Sequence, residues 1–406
     1  MAVRTEEIGR SWITEKVFLG KPFGEYLRSL VTPFNAVVAL ILAVGIPVSA
    51  VRFWQGLGAV TNLSDTTPWG LWIGFDVLVG VALAAGGYTI ATAVYVFRLE
   101  DYRVIVRPAI LTGFLGDFFV VVALLFDLGQ PWRLPYPMFV SFGVTSVMFL
   151  VAWHVGLYLT CQLIEFSPAI FEWLGAKRLR RIAISVSVGV TIFGVMLSTL
   201  HQSALGALFL LAPHRLHPLW YSSLIPMFFF VSSIAAGLSI VIVESTISHR
   251  VFNGRAGHHN KGQLDKLTLG LGKAASLVLF TYFGLKLIGV MNEDLWGLLT
   301  TPMGQWFSLE LFGFILLPSI LFAWGAGKRN VKVVRATAGL TVLGIVLNRL
   351  NVSVIAFNWE SAQRYVPSWG EIAVTITIIT LLVITFRWIV NRMPVLQDHP
   401  DYPGGH

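Results

Sequence analysis

Ten stretches of this chain stay apolar for about 20 residues or more, the length that carries a helix across a hydrocarbon core about 30 Å thick. They fall at roughly 34–54, 69–97, 106–128, 140–165, 182–211, 219–245, 268–292, 306–325, 335–357 and 371–392. In hydrocarbon there is no water to satisfy the backbone, so such a run must bond internally as a helix. Hydrophobic residues make up 55% of the chain, charged residues only 12%, and the mean hydropathy is +0.73. No soluble chain of 406 residues has this balance. The expected fold class is all-α integral membrane, with about ten transmembrane helices. Residues 1–33 read as a polar, amphipathic segment without the apolar stretch of a cleaved signal peptide, so the first span itself directs insertion.

The net charge of +8 follows topology and is not a nucleic-acid signal. Most Lys and Arg lie in the N-terminal segment, the even-numbered loops and the C-terminal segment. Examples are Lys177, Arg178, Arg180 and Arg181; Arg250, Arg255, Lys261 and Lys266; and Lys328, Arg329, Lys332 and Arg335. The odd-numbered loops hold Arg133, Arg215 and Arg364, with Arg52 at the edge of the first span. By the positive-inside rule both termini are cytoplasmic. The single cysteine, Cys161, is too few for an iron–sulfur cluster and excludes an intrachain disulfide.

Tryptophan is biased the other way. Trp54, Trp69, Trp72, Trp132, Trp220, Trp296, Trp306, Trp359 and Trp369 fall near the predicted outer face, against Trp12, Trp173, Trp324 and Trp388 near the inner one. A membrane-interface belt appears on both sides; the surplus points to an outer surface covered by a partner. The outer loops are short, rich in turn formers, and not domains. The inner loop 248–267 holds His249, His258 and His259 with no carboxylate or cysteine at ligand spacing, and reads as solvated. Gly80, Ala84 and Gly87 recur along one face of the second span. Such small-residue faces let helices approach closely, and could also admit a flat ring or lipid tail.

A charge in hydrocarbon costs at least ~2.5–3.5 kcal/mol and is a functional hypothesis by default. Seven occur here: Asp76, Asp117, Asp127, Glu244, Lys286, Glu310 and Arg349, joined by His154 and His201. Asp76 lies roughly 10 Å inside the outer edge of its span. Asp127, His201 and His217 cluster toward the same side. His154 sits deeper with Tyr158 one turn away, and histidine both accepts and donates a proton near neutral pH. The rise along the two predicted helices sets His201 some 12 Å higher than His154, which argues against one haem held between them. In the second half, a buried Lys286 or Arg349 must pair with a carboxylate, for which Glu310 and Glu244 are the candidates. These groups read either as a structural ion-pair network or as a proton-conducting path.

Several of these residues stand in ordered motifs: Pro68 to Asp76 (PWGLWIGFD), Gly86–Gly87 followed by Ala93 to Phe97, Val106 to Ala109, Asp127 to Gly129, Glu165 to Ala169, His201 to Ser203, His217 to Trp220, Arg349, and Ala356 to Asn358. Over about residues 60–392 the chain resembles the NrfD-like family of membrane subunits, in its longer HybB branch. The resemblance implies two four-helix bundles, spans 2–5 and 6–9, flanked by spans 1 and 10. The chain then divides at 1–33, 34–68, 69–212, 213–357 and 358–406, with the quinone site in 69–212. It implies no haem or iron–sulfur cluster in this chain, and menaquinone or ubiquinone bound as substrate near the outer face. The implied partners are a periplasmic-side, ferredoxin-like iron–sulfur subunit with multihaem cytochrome, hydrogenase or molybdopterin-type subunits, besides membrane lipid. The chain departs from the family where a carboxylate is expected in the fourth helix: Leu150 stands there and His154 lies one turn deeper.

Reducing a quinone takes two electrons and two protons, so its site needs a proton donor beside the ring. The expected catalytic residues are Asp76, His154 and His201. The expected quinone-contacting set is Trp69, Trp72, Asp76, Gly86, Asp127, His154 and His201, and no metal site is expected. The expected proton path is Asp117, His154, Tyr158, Glu244, Lys286, Glu310 and Arg349. The resulting expectation is a subunit of a quinone oxidoreductase complex in the bacterial inner membrane, serving anaerobic respiration. The alternatives are a secondary transporter or other ion-translocating protein, against which no inverted repeat is visible, and a passive membrane anchor.

Overall fold

A computed structural model describes residues 12–252, 261–361 and 364–396. Arg255, His258 and His259 of the basic loop lie outside the described residues, as do Asp398, His399 and His406. Among the described residues ten helices are long and apolar enough to span a membrane: α1 (Pro33–Gln55), α2 (Trp72–Val96), α3 (Glu100–Asp127), α4 (Val147–Leu174), α5 (Lys177–Leu211), α6 (Ile225–Val251), α7 (Gly262–Asn292), α8 (Pro302–Gly327), α9 (Val331–Ile355) and α10 (Trp369–Val390). The protein is a multi-pass, all-α integral membrane protein. Among the described residues the β-structure is one isolated bridge, Leu216 with Phe357. One end of the bundle carries most of the tryptophans and the other most of the Lys and Arg; they are called here the tryptophan end and the basic end.

The helices differ from the apolar runs most at α4. Residues 140–146 are not helical, and the helix starts after Ser146 and continues to Leu174, nine residues beyond the predicted end. Hydropathy alone ends the run at Glu165. The helix continues because Glu172 is buried against two arginines: Arg107 Nη2 lies 3.0 Å and Arg180 Nε 2.8 Å from its Oε1. Gly175, with φ +71°, ends the helix in the left-handed conformation that only glycine adopts without strain.

Helix α2 packs on α3, α3 on α4, α4 on α5, and α5 back on α2. Likewise α6 packs on α7, α7 on α8, α8 on α9, and α9 on α6. Helix α6 also lies against α2 and α5, and α10 lies against α1 and α3. At the α2–α6 crossing, glycine allows backbone-to-backbone approach: a Cβ on Gly86 would come within 3.1 Å of the Gly237 carbonyl oxygen. A Cβ on Gly80 would meet Val120 at 2.5 Å, and one on Gly87 would meet the Ala109 carbonyl at 3.1 Å. The small-residue face of α2 is therefore filled by α3, and the expected slot there for a flat ring or lipid tail is absent.

Four helical segments widen to π-helical turns: Trp72–Val77, Thr92–Val96, Leu309–Leu316 and Asn351–Ile355. Such turns concentrate at functional positions. Here three of the four carry buried polar side chains: Asp76, Glu310 and Asn351.

Candidate functional site

Five of the seven charged residues expected from the sequence fall into two groups. The first is centred on Glu310, which is 1% exposed. Its Oε1 accepts from Asn348 Nδ2 at 2.7 Å and lies 3.6 Å from Lys286 Nζ. Its Oε2 accepts from Trp220 Nε1 at 2.8 Å and from Asn351 Nδ2. Trp306 Nε1 in turn donates to Asn351 Oδ1 at 2.9 Å. The Lys286 ammonium is walled by the rings of Phe228, Tyr282 and Phe307, 5.3–5.9 Å from their centroids. Arg349 differs from expectation: no carboxylate lies within ion-pairing distance among the described residues. Its guanidinium instead donates to Asn348 Oδ1 at 2.8 Å, Ser232 Oγ at 2.9 Å and the Phe229 carbonyl at 3.2 Å, with its Cζ 3.9 Å from the Phe229 ring centroid. Glu244 belongs elsewhere, accepting from Ser248 Oγ at 2.6 Å toward the basic end.

The second group lies between α2, α3, α4 and α5. Asp76 Oδ2 accepts from Thr375 Oγ1 of α10 at 2.7 Å. About one and a half turns deeper, Gln202 Nε2 of α5 donates to the Val81 carbonyl of α2 at 2.9 Å. That bond places neighbouring His201 on the helix next to Asp76. His201 is 0% exposed, and among the described residues neither ring nitrogen has a hydrogen-bond partner. Its ring centroid is 6.1 Å from that of Tyr158. One turn along α4, Gln162 Nε2 donates to Asp117 Oδ2 at 2.8 Å, leaving Asp117 Oδ1 and Gln162 Oε1 unpartnered among the described residues. Below them α4 carries Glu165. His154 is half-buried with its Nδ1 likewise unpartnered among the described residues.

The helix bounds correct the expected 12 Å offset between the histidines. Because α4 runs on to Leu174 and α5 begins at Lys177, a rise of about 1.5 Å per residue puts His154 and His201 roughly 30 and 36 Å from the turn. The offset between the two histidines thus shrinks from some 12 Å to about 6 Å. About two turns below them α4 and α5 are in direct contact, a Cβ on Gly194 falling 3.5 Å from Cys161 and 3.9 Å from Tyr158. Among the described residues, no group of three or more His, Cys, Asp or Glu is placed to hold a metal ion.

The tryptophan end closes over α2 through residues that hydropathy does not flag. Glu371, 0% exposed, caps α10 in a box with Ser368 and also accepts from the Asn62 backbone N–H at 3.1 Å. Tyr365 donates its hydroxyl to Glu371 Oε1 and accepts from the Leu71 N–H at 2.9 Å. Burial and the bond to Glu371 push the Tyr365 phenol up, so it stays protonated. Trp72 Nε1 reaches the Glu371 carbonyl at 3.2 Å. Trp69 stacks on Phe357 with centroids 5.0 Å apart. Beside it, Trp359, Arg364, Tyr365 and Asn358 border a cavity of about 140 Å³. Asp127 lies at this end near Arg52, whose guanidinium donates to the Phe126 carbonyl at 2.6 Å and to the Leu128 carbonyl. Burial lowers the pKa of His217 on the nearby connector. Its Nδ1 accepts from the Leu219 N–H at 3.2 Å.

The structure therefore brings Asp76, His201, Tyr158, His154 and Asp117 into one helix group and Lys286, Glu310 and Arg349 into another, with Gly86 in a helix contact and Glu244 apart. Glu172, Gln162, Glu371 and Thr375 were not among the expected residues. For Glu371 a signal existed, the Ser368-x-x-Glu371 spacing of a capping box; for the others it did not, since each is fixed by a partner on a distant helix.

Comparison with known proteins extends along nearly the whole chain. A protein of Nitratidesulfovibrio vulgaris is 50% identical over 381 residues, covering 93% of this chain and 98% of that one. The probable Ni/Fe-hydrogenase 2 b-type cytochrome subunit of Escherichia coli is 31% identical over 350 residues, 85% of this chain and 88% of that one. The menaquinone reductase integral membrane subunit of Nitratidesulfovibrio vulgaris is 27% identical over 377 residues, 86% of this chain and 87% of that one. Residues 59–358, which hold both buried groups, match the model of the polysulphide reductase NrfD family, and the chain belongs to that family.

Proposed function

We propose that this chain is the quinone-exchanging membrane subunit of a respiratory oxidoreductase complex of the bacterial inner membrane, with both termini in the cytoplasm and the tryptophan end outside. One relative is a menaquinone reductase subunit and another a hydrogenase subunit; a quinone and a catalytic partner complex are carried over from them to this chain as part of the proposal. The observation that carries the reading is His201: a fully buried imidazole with both nitrogens free among the described residues, one helix from Asp76 and in ring contact with Tyr158. A buried polar group without a partner costs about 1–3 kcal/mol. A quinone supplies two carbonyl oxygens that accept hydrogen bonds, and it takes up two protons on reduction. The group around His201 offers such donors, so the residues fit the substrate.

In this reading Asp76, His201 and His154 hold the ring oxygens and exchange protons with them, beneath Trp69, Trp72 and Asp127. Gly86 is left out, because α6 occupies the space beside it. Asp117, Gln162, Tyr158 and Glu165 form the route for protons toward the basic end, since Asp, Glu and His chains in membranes mark such relays. Spans 2–5 and 6–9 act as two bundles, the second a rigid support held by Glu310. Electrons arrive from, or leave to, an iron–sulfur subunit docked on the tryptophan end, where Trp54, Trp132 and Trp369 are 90%, 69% and 72% exposed.

The test begins with gentle purification of the assembled complex and extraction of its quinone. Asp76→Asn should leave assembly intact and reduce quinone-coupled electron transfer by about a hundredfold or more. Wild-type turnover in that variant would remove Asp76 from the mechanism. Isolation of the chain alone and free of quinone would overturn the reading as a whole.

A further inference from the structure

At the basic end, α6, α7 and α9 border an open cavity of about 720 Å³ lined by Thr246, His249, Arg250, Leu264, Lys332 and Arg335. Among the described residues no carboxylate lines it. The nearest one along the wall, Asp265, is already bonded to Arg335 Nη2 at 2.9 Å. Arg335 Nε is buried and has no hydrogen-bond partner among the described residues. Arg250 and Lys332 are exposed and make no ion pair among the described residues, so two of the three Lys and Arg side chains at the cavity have no counter-charge there.

An apolar crevice of about 60 Å³ opens from the same wall, sharing His249 and Leu264. Its sides are Val104, Ile105, Pro108, Leu267 and Leu396, and its carboxylate, Glu244, is bonded to Ser248. A cationic chamber joined to a narrow apolar groove at the edge of the bilayer matches one ligand chemistry: a phosphate group carrying a hydrocarbon chain. Basic pockets between transmembrane helices take phosphate head groups in this way, and guanidinium groups bind phosphate with two parallel hydrogen bonds.

We propose that this chamber is a binding site for a phosphate oxyanion, with an anionic phospholipid as its source: the head group lies among Arg250, Lys332 and Arg335, and an acyl chain lies along the Val104–Leu267 crevice. The site is separate from the quinone group and does not depend on it.

The experiment uses the full chain in its native complex, reconstituted in phosphatidylethanolamine nanodiscs doped with labelled phosphatidylglycerol. The double variant Arg250→Ala, Lys332→Ala should bind the labelled lipid about thirtyfold more weakly, the change expected for two cations at about 1 kcal/mol each. The charge-keeping pair Arg250→Lys, Lys332→Arg should retain binding. A control that removes equal charge at the other basic turn, Lys177→Ala, Arg178→Ala, should stay within about twofold of wild type. Excess inorganic phosphate that fails to displace the lipid assigns the site to phospholipid; full displacement assigns the same chamber to a soluble phosphate. Unchanged binding in the Arg250, Lys332 double variant, or an equal loss in the control, would overturn the site.

Discussion

Glu310 and His201 are equally inaccessible, 1% and 0% exposed, yet one is bonded on every side and the other on none among the described residues. Around Glu310, two amide donors of α9, the Trp220 indole of the α5–α6 connector and the Lys286 ammonium of α7 converge on one carboxylate, and the loose ends are Arg349 Nε and the Tyr282 hydroxyl. Around His201, loose ends are the rule: both its nitrogens, His154 Nδ1, Asp117 Oδ1 and Gln162 Oε1. A closed network holds a shape, because every member is pinned by the others. An open one has donors and acceptors left for something that comes and goes. The comparison teaches that burial of charge alone does not mark a reactive site; the degree of hydrogen-bond satisfaction separates support from chemistry.

Substitutions at four positions probe that contrast. Glu310→Ala should have the largest effect on folding, about 3–5 kcal/mol, because it leaves Lys286 buried and unpaired. Thermal unfolding of the detergent-solubilised protein would show it as a large drop in Tm. Glu310→Gln keeps an acceptor and should cost less. If Glu310→Gln instead folds normally and abolishes quinone turnover, the two regions do not divide as described.

His201→Leu should do the opposite. Exchanging a buried ring with two unsatisfied nitrogens for an apolar side chain should change stability by about 1 kcal/mol or less, in either direction. Quinone-coupled turnover should fall by about a hundredfold. A loss of stability on the scale of Glu310→Ala would make His201 structural.

Tyr365→Phe removes one hydroxyl that serves Leu71 and Glu371, and should cost about 1–3 kcal/mol by leaving the Leu71 N–H unpaired. Hydrogen exchange should rise at the start of α2 while the Glu310 network keeps its protection. Equal loosening of both would show the halves to be one cooperative unit.

The smallest effect concerns His217, on the connector between the two groups. Burial lowers its pKa, so below about pH 6.5 the unfolded chain takes up a proton that the folded chain refuses. Stability should therefore fall as pH drops from about 7.5 to 5.5. The pH dependence of Tm should be shallower in His217→Gln; an unchanged slope would show that His217 does not contribute.

The sequence by itself determined the all-helical membrane fold, the number of spans and the family. Each rests on local information: a run of about 20 apolar residues can only be a helix in hydrocarbon, and ordered motifs such as Pro68 to Asp76 need no partner to be read. It also singled out Asp76, His201, Lys286, Glu310 and Arg349, because a charge within an apolar run stands out wherever it points. Only the tertiary structure decided what those charges do. Lys286 pairs with Glu310 and not Glu244, and Arg349 is held by Ser232 and the Phe229 carbonyl, because helix crossings choose neighbours that lie dozens of residues away in the chain. The end of α4 at Leu174, and with it the relative height of His154 and His201, was hidden for the same reason: Glu172 stays inside only because Arg107 and Arg180 come to it from α3 and α5.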